Sequence, residues 1–243
     1  MVIEGVELVR APNPGPFTLE GTNSWVVEGA WVVDPGPDDE QHIQALLAAA
    51  GGTLEGIVLT HDHADHSAGA PRLAELAEGT VISHPVHGER IGPFEAIATP
   101  GHAPDHVCLL RGETLFSGDT VLGHGSVFVQ PGNGALAAYL DSLRALRELE
   151  LDVICPGHGP LVTDARAKIE EYLEHRLARE AALLAALGDG LRTQDELLDT
   201  VWSDAPVALR PAAAITLAAH AEKLRDEGRL PDDVERAVLG LAA

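Results

Sequence analysis

The stretch that decides the fold is Gly56-Ile57-Val58-Leu59-Thr60-His61-Asp62-His63-Ala64-Asp65-His66. Its apolar first half has the length and β-branched content of a buried strand. In the extended residues that follow, alternate side chains share a face, which sets His61 beside His63. Asp65 and His66 fall where the next helix should begin, turned toward a second position. One loop therefore offers four nitrogen or oxygen donors, more than a single ion takes from one loop. That arrangement suits a binuclear centre, and the mixture of imidazole and carboxylate suits Zn(II). The plain alternative is a solvated polar turn with Asp65 as a helix cap.

Three more candidates each follow an apolar strand and a glycine. They are His102 in Thr99-Pro100-Gly101-His102, Asp119 in Phe116-Ser117-Gly118-Asp119, and His158 in Cys155-Pro156-Gly157-His158. Alone, each reads as a turn residue; in this order they complete a donor set with His61, His63, Asp65 and His66. Short apolar runs bounded by Gly, Pro or Asp predict strands over 24–27, 31–34, 56–60, 80–83, 96–99, 106–110, 114–117 and 151–155. Helical patterns fall at 38–50, 67–77 and 136–149. Beyond Pro160 the chain turns helical, with one long helix over 164–187 and shorter ones at 193–201 and 211–226. An apolar tail after Gly228 could form a small ribbon, the outline of a winged helix. The expected organisation is α+β: a catalytic domain over 1–163, a connecting helix and turn over 164–190, and a winged-helix-like domain over 191–243.

Composition narrows the function. The 243 residues carry 38 acidic against 16 basic side chains, a formal charge of −22. Such a surface repels phosphate backbones and anionic lipid, which disfavours a nucleic-acid coat or a membrane role. Residues 191–243 hold ten acids and six bases, a net −4. That segment lacks the basic face of a DNA reader, so duplex DNA is not an expected partner. Cys108 and Cys155 cannot make a disulfide framework and read as inert buried thiols in a reducing compartment. With no visible signal peptide or apolar span, a cytoplasmic soluble protein is expected.

With its seven donors in place, the chain resembles the metallo-β-lactamase superfamily over residues from about 15 to 160. The resemblance implies an αββα sandwich with two zinc ions along one edge. It also implies that His61, His63 and His102 hold the first ion, that Asp65, His66 and His158 hold the second, and that Asp119 bridges them. The flanks resemble the β-lactamase-like protein 2 family. They are Asn13-Pro-Gly-Pro-Phe-Thr18-Leu-Glu-Gly21-Thr22-Asn23, the pair His175-Arg176, and Ala219-His220-Ala-Glu-Lys223-Leu-Arg-Asp-Glu-Gly228. That family carries a winged-helix-like C-terminal domain. It includes a zinc-dependent endoribonuclease acting on single-stranded RNA, with related proteins that hydrolyse thioesters of carrier-bound acyl chains.

Two metals about 3.5–4 Å apart share a water and lower its pKa from about 15.7 towards about 7. The bridging hydroxide is then the nucleophile, and Asp65 is the carboxylate expected to orient it and carry its proton. Asn23 and His124 are candidates to stand near substrate, and His106 could donate a supporting hydrogen bond. The substrate is expected to be a small molecule or single-stranded RNA. A nuclease usually carries a basic track for the backbone, and this chain has only two lysines, Lys168 and Lys223. A mononuclear iron oxygenase or persulfide dioxygenase of the same superfamily needs fewer ligands than are present. A hydroxyacylglutathione-type thioesterase shares the seven donors, although the C-terminal half does not look like its glutathione-binding region.

Overall fold

In the computed structural model, which describes residues 3–234 and 236–239, the apolar run at 56–60 forms β4 (Gly56–Val58). The runs before it form β2 (Asn23–Val27) and β3 (Trp31–Val33). With β1 (Val6–Arg10) and β5 (Ile82–Ser83) they build a mixed sheet in the order β1-β2-β3-β4-β5. The first three strands pair antiparallel, while β3, β4 and β5 run parallel.

The second sheet runs β10-β9-β8-β7-β6. Its strands are β6 (Arg90–Ile91), β7 (Phe94–Ala98), β8 (Val107–Arg111), β9 (Thr114–Gly118) and β10 (Val153–Pro156). Only β10 with β9 is parallel.

Period-two alternation assigns the faces. Trp25, Val27, Val33 and Val58 pack against Phe94, Val107, Leu109 and Phe116 between the sheets. Val26, Val32 and Ile57 point the other way, toward Ile43 and Leu46 of α1 (Glu40–Ala49) and Leu73 of α3 (Ala70–Leu76). Each such side chain contributes about 1.5–3 kcal/mol by leaving water, so the first sheet is anchored on both faces. The fold is α+β, as expected.

Two strands escape the sequence pattern for a physical reason. β1 exposes Glu7, Leu8 and Arg10 and is held at the sheet edge by backbone pairing to β2, so it carries no buried stripe. β6 is two residues long, with Arg90 paired to Glu95 across the hairpin at 2.8 Å.

The chain divides into two compact units. One holds both sheets and comprises the residues up to Thr99, Asp105–Ser126 and Leu149–Lys168; the other comprises Pro100–Pro104, Val127–Glu148 and the residues from Ile169 onward. This partition departs from the expected boundaries at 163 and 190. Helix α4 (Ala135–Arg147) and the 100–104 turn group with the C-terminal helices. The side chains explain why: Ser142 Oγ donates to the Pro100 carbonyl at 2.9 Å, and the Arg176 guanidinium lies 5.4 Å over the Tyr139 ring.

The long helix forms as α5 (Ala165–Gly188), and Asp164 Oδ1 caps it by accepting from the Ala167 N–H at 3.0 Å. Helix α6 (Gln194–Val201) opens on a capping box of Thr193 and Glu196, and α7 (Arg210–Asp226) follows. Leu183, Leu187, Leu197, Val201, Leu217 and Leu224 form the core of this second unit. After Gly228 the described residues include a 3-10 turn, Arg236–Leu239, and no strand. The ribbon of a winged helix is thus not among them, and 235 and 240–243 of the expected tail lie outside the described residues.

His220 of α7 is buried beside Trp202, and neither ring nitrogen makes a hydrogen bond. Burial, with Arg176 and Lys223 adding positive charge nearby, pushes its pKa down from 6.5 to about 3. The unfolded chain therefore takes up this proton first. Stability is complete above pH 6.5 and falls as the pH drops from there toward 3, by up to roughly 4 kcal/mol. Urea midpoints between pH 7 and pH 4 should show a flatter acid slope for His220→Phe than for the parent. Equal slopes would remove His220 as the source.

Candidate metal centre

Beyond β4 the chain bends at Thr60 and reaches His63, which has extended backbone and takes the N-terminal flanking position of the one-turn helix α2 (Ala64–Ser67) without a side-chain capping bond. His61 Nε2 and His63 Nδ1 face each other at 3.0 Å. The hydrogen bonds behind them decide where each proton sits. Thr60 Oγ1 has one proton and donates it to Asp34 Oδ2 at 2.7 Å. Its 3.0 Å contact with His61 Nδ1 is therefore donated by the imidazole. Asp34 also accepts the Thr60 N–H at 2.8 Å and the His66 Nδ1–H at 2.9 Å. His158 Nδ1–H donates to the Gly21 carbonyl at 3.3 Å. In the neutral rings of His61, His66 and His158 the lone pair is thus left on Nε2, where it is free to ligate.

Those atoms converge on carboxylates. His158 Nε2 lies 3.3 Å from Asp65 Oδ2 and 3.4 Å from Asp119 Oδ1; His66 Nε2 lies 3.6 Å and 3.5 Å from the same oxygens. Both nitrogens are fully buried, yet neither makes a hydrogen bond. Such burial costs about 1–3 kcal/mol per group. Donors that converge without bonding each other fit a cation between them. Asp65, His66 and His158 each bring one donor atom within 4.8 Å of the others, and so do His61, His66 and Asp119.

The protonation equilibria agree. Burial alone would lower His158, but the Asp119 and Asp65 carboxylates outweigh it and raise it to about 9. His66 rises well above its ordinary value against the same burial, through Asp119 and Asp34. Asp119 is held well below the usual carboxylate range, because His66 and His158 overcome its desolvation. Without a metal, protons supply the positive charge that the carboxylates demand.

The supports come from unrelated parts of the chain. Gly157 is needed for close approach: a Cβ there would stand 2.7 Å from Asp119 Oδ1 and 2.8 Å from His66 Cε1. The Asp119 N–H donates to His106 Nε2 at 3.0 Å, so His106 holds the Asp119 backbone. Asn23, expected near substrate, is fully buried. Its amide hydrogens go to the Pro156 and Gly159 carbonyls at 3.0 and 2.8 Å, bracing the turn that carries His158. His124 is exposed and pairs with Glu20 at 3.0 Å. His102 lies in the Pro100–Pro104 segment of the other unit, where its Nδ1–H donates to the Phe128 carbonyl at 2.8 Å.

Asp34 is the functional residue that sequence reasoning missed. An acid closing a buried strand, directly before Pro35-Gly36, was the available signal. Cys108 and Cys155 are buried free thiols, pushed up by burial to about 11 and about 12, and stay protonated. Among the described residues no helix is long and apolar enough to cross a membrane.

Comparison with known proteins agrees with this geometry. The family described as Metallo-beta-lactamase superfamily matches residues 17–97 and 86–158. The chain is 33% identical to the Beta-lactamase-like protein 2 homolog of Caenorhabditis elegans, over 93% of this chain and 85% of that protein. It is 30% identical to an Atrochrysone carboxyl ACP thioesterase of Aspergillus fumigatus, over 82% of this chain and 73% of the relative. The crystal structure of a metallo-beta-lactamase family protein from Thermus thermophilus superposes with a TM-score of 0.75 at 25% identity, covering 93% of this chain and 95% of that one. Two facing mixed sheets, a histidine–aspartate cluster built on their loops and relatives spanning nearly the whole length lead to one assignment: the chain belongs to the metallo-β-lactamase superfamily.

Proposed function

We propose that the chain, a metal-dependent hydrolase of this superfamily, is a binuclear zinc enzyme that cleaves acyl thioesters. His61, His63 and His102 would hold one ion, Asp65, His66 and His158 the other, and Asp119 both. The observation that carries the reading is the buried pair His66 Nε2 and His158 Nε2, which face Asp65 and Asp119 without a hydrogen bond. A mononuclear iron site of the oxygenase type would leave this second donor set without a purpose.

When bound, the ions supply Lewis acidity and an activated water. The remaining work falls to the chain. Burial pushes the Asp65 carboxyl up, but His158 and His66 outweigh it and hold it below its ordinary value. It is therefore ionised at neutral pH, and with its side chain 32% exposed it can orient an incoming water and accept its proton. Asp34 and Thr60 keep the protons of His66 and His61 on Nδ1.

Charge supports a thioester over RNA. A chain of net −22, with 16 basic against 38 acidic side chains, is a poor general surface for a phosphate backbone. A thiolate, with a thiol pKa of about 8.5, also leaves without a dedicated acid. The name of the Aspergillus fumigatus relative, an ACP thioesterase, points the same way. Two buried free thiols suit a reducing, cytoplasmic setting.

Elemental analysis combined with a substrate panel tests the proposal. The expected result is two zinc ions per chain and hydrolysis of acyl thioesters well ahead of single-stranded RNA. A stoichiometry at or below one under excess zinc overturns the binuclear reading. Cleavage of RNA with inert thioesters overturns the substrate.

A further inference from the structure

Arg176 of α5 is the largest fully buried side chain among the described residues. A buried guanidinium is expensive unless it is paired. No acidic side chain among the described residues forms an ion pair with Arg176, and its Nε makes no hydrogen bond. Its partners are the Val127 carbonyl, to which Nη2 donates, and the Tyr139 ring, 5.4 Å below the guanidinium.

Both partners support His102. The residue after Val127 is Phe128, whose carbonyl accepts the His102 Nδ1–H at 2.8 Å. Tyr139 backs the turn before His102: Gly101 has φ +145°, and a Cβ there would stand 2.4 Å from Tyr139 Cβ. Ser142, one helical turn beyond Tyr139, donates to the Pro100 carbonyl at 2.9 Å. All of these residues lie in the same compact unit.

We propose that Arg176 is a positioning residue for His102. It fixes the 127–128 backbone so that the Phe128 carbonyl keeps the proton on His102 Nδ1 and leaves the lone pair on Nε2 as the ring atom available to a metal. This gives a purpose to the His175-Arg176 pair of the sequence and to a buried charge with no acidic partner among the described residues. It rests on the reading of His102 as a zinc ligand. Lysine is a poor replacement, because a point charge cannot both reach the carbonyl and cover the ring as a planar fork does.

The test uses the full chain labelled with ¹⁵N-histidine, its His102 resonances assigned by their loss in His102→Gln. In the metal-free parent the spectrum should show His102 with Nδ1 protonated and Nε2 bare. In Arg176→Met the two tautomers should mix, and by chelator competition the affinity for one of the two zinc ions should fall about 10–100-fold. Arg176→Lys, which keeps a donor for the Val127 carbonyl, should fall between the two and carries the test if the methionine variant does not fold. A folded variant with the parent tautomer and parent affinity for both ions overturns the proposal. If His102→Gln itself keeps both ions at parent affinity, the ligand reading fails instead, and the tautomer spectrum still decides whether Arg176 holds His102.

Discussion

Asp119→Ala is expected to end hydrolysis while leaving the fold in place. Asp119 Oδ1 lies 3.5 Å from His66 Nε2 and 3.4 Å from His158 Nε2, and the residue joins His61 and His66 in a second donor group. A methyl group supplies no oxygen to either of the two proposed ions. Even groups that only support a metal ligand cost about 10–100-fold when removed. The loss here should exceed about 100-fold, with bound zinc falling below two per chain. The loop survives because its anchors are main-chain: the residue 119 N–H donates to His106 Nε2 at 3.0 Å, and the Gly157 N–H to the Gly118 carbonyl at 2.8 Å. His66 also keeps Asp34. Steady-state turnover, zinc content and far-UV circular dichroism on one preparation decide it. Near-parent turnover would remove Asp119 from the centre.

Asp34→Ala should damage both stability and metal affinity, although Asp34 is not among the proposed ligands. It would strand two buried donors, the Thr60 N–H and the His66 Nδ1–H, and release a third, the Thr60 hydroxyl. At about 1–3 kcal/mol each, the metal-free chain should lose on the order of 5 kcal/mol. The Thr60 hydroxyl, released from Asp34, could then donate to His61 Nδ1 and move that ring's proton onto Nε2, the atom facing His63. Zinc affinity should fall about 10–100-fold. Asp34→Asn should not rescue it, since its NH2 must face at least one of the same donors. Urea denaturation of the metal-free protein and chelator competition measure the two losses. A stability change under ~1 kcal/mol with unchanged zinc affinity would contradict the role.

The difference between these two residues follows how far apart their partners lie along the chain. Asp119 was legible because a glycine and an apolar strand announce it, as they do His102 and His158. His61, His63, Asp65 and His66 sit within one loop, where strand alternation and a helix start settle which way each faces. Asp34 is 26 residues from Thr60 and 32 from His66. It reaches them because β3 runs parallel to β4 with Val33 opposite Val58, a register that no local pattern records. The same holds for Asn23 behind the His158 turn, more than 130 residues away. It holds for the contact of Arg176 with the Val127 carbonyl as well, 49 residues apart, where the sequence offered only the His175-Arg176 pair as a family-like motif.

The sequence, through its donor spacing and its family resemblance, therefore carried the class of fold and the candidate donor residues, and its charge count made duplex DNA an unexpected partner. These depend on side-chain chemistry and on alternation over a few residues. The tertiary structure decided which proton each imidazole keeps, which glycine must stay small and where the two units divide. It also supplied the edge strand β1 and showed no strand among the described residues after Gly228. Those features are set by backbone carbonyls and carboxylates brought together from distant strands and helices, and a tautomer is fixed only by the partner that finally faces the ring.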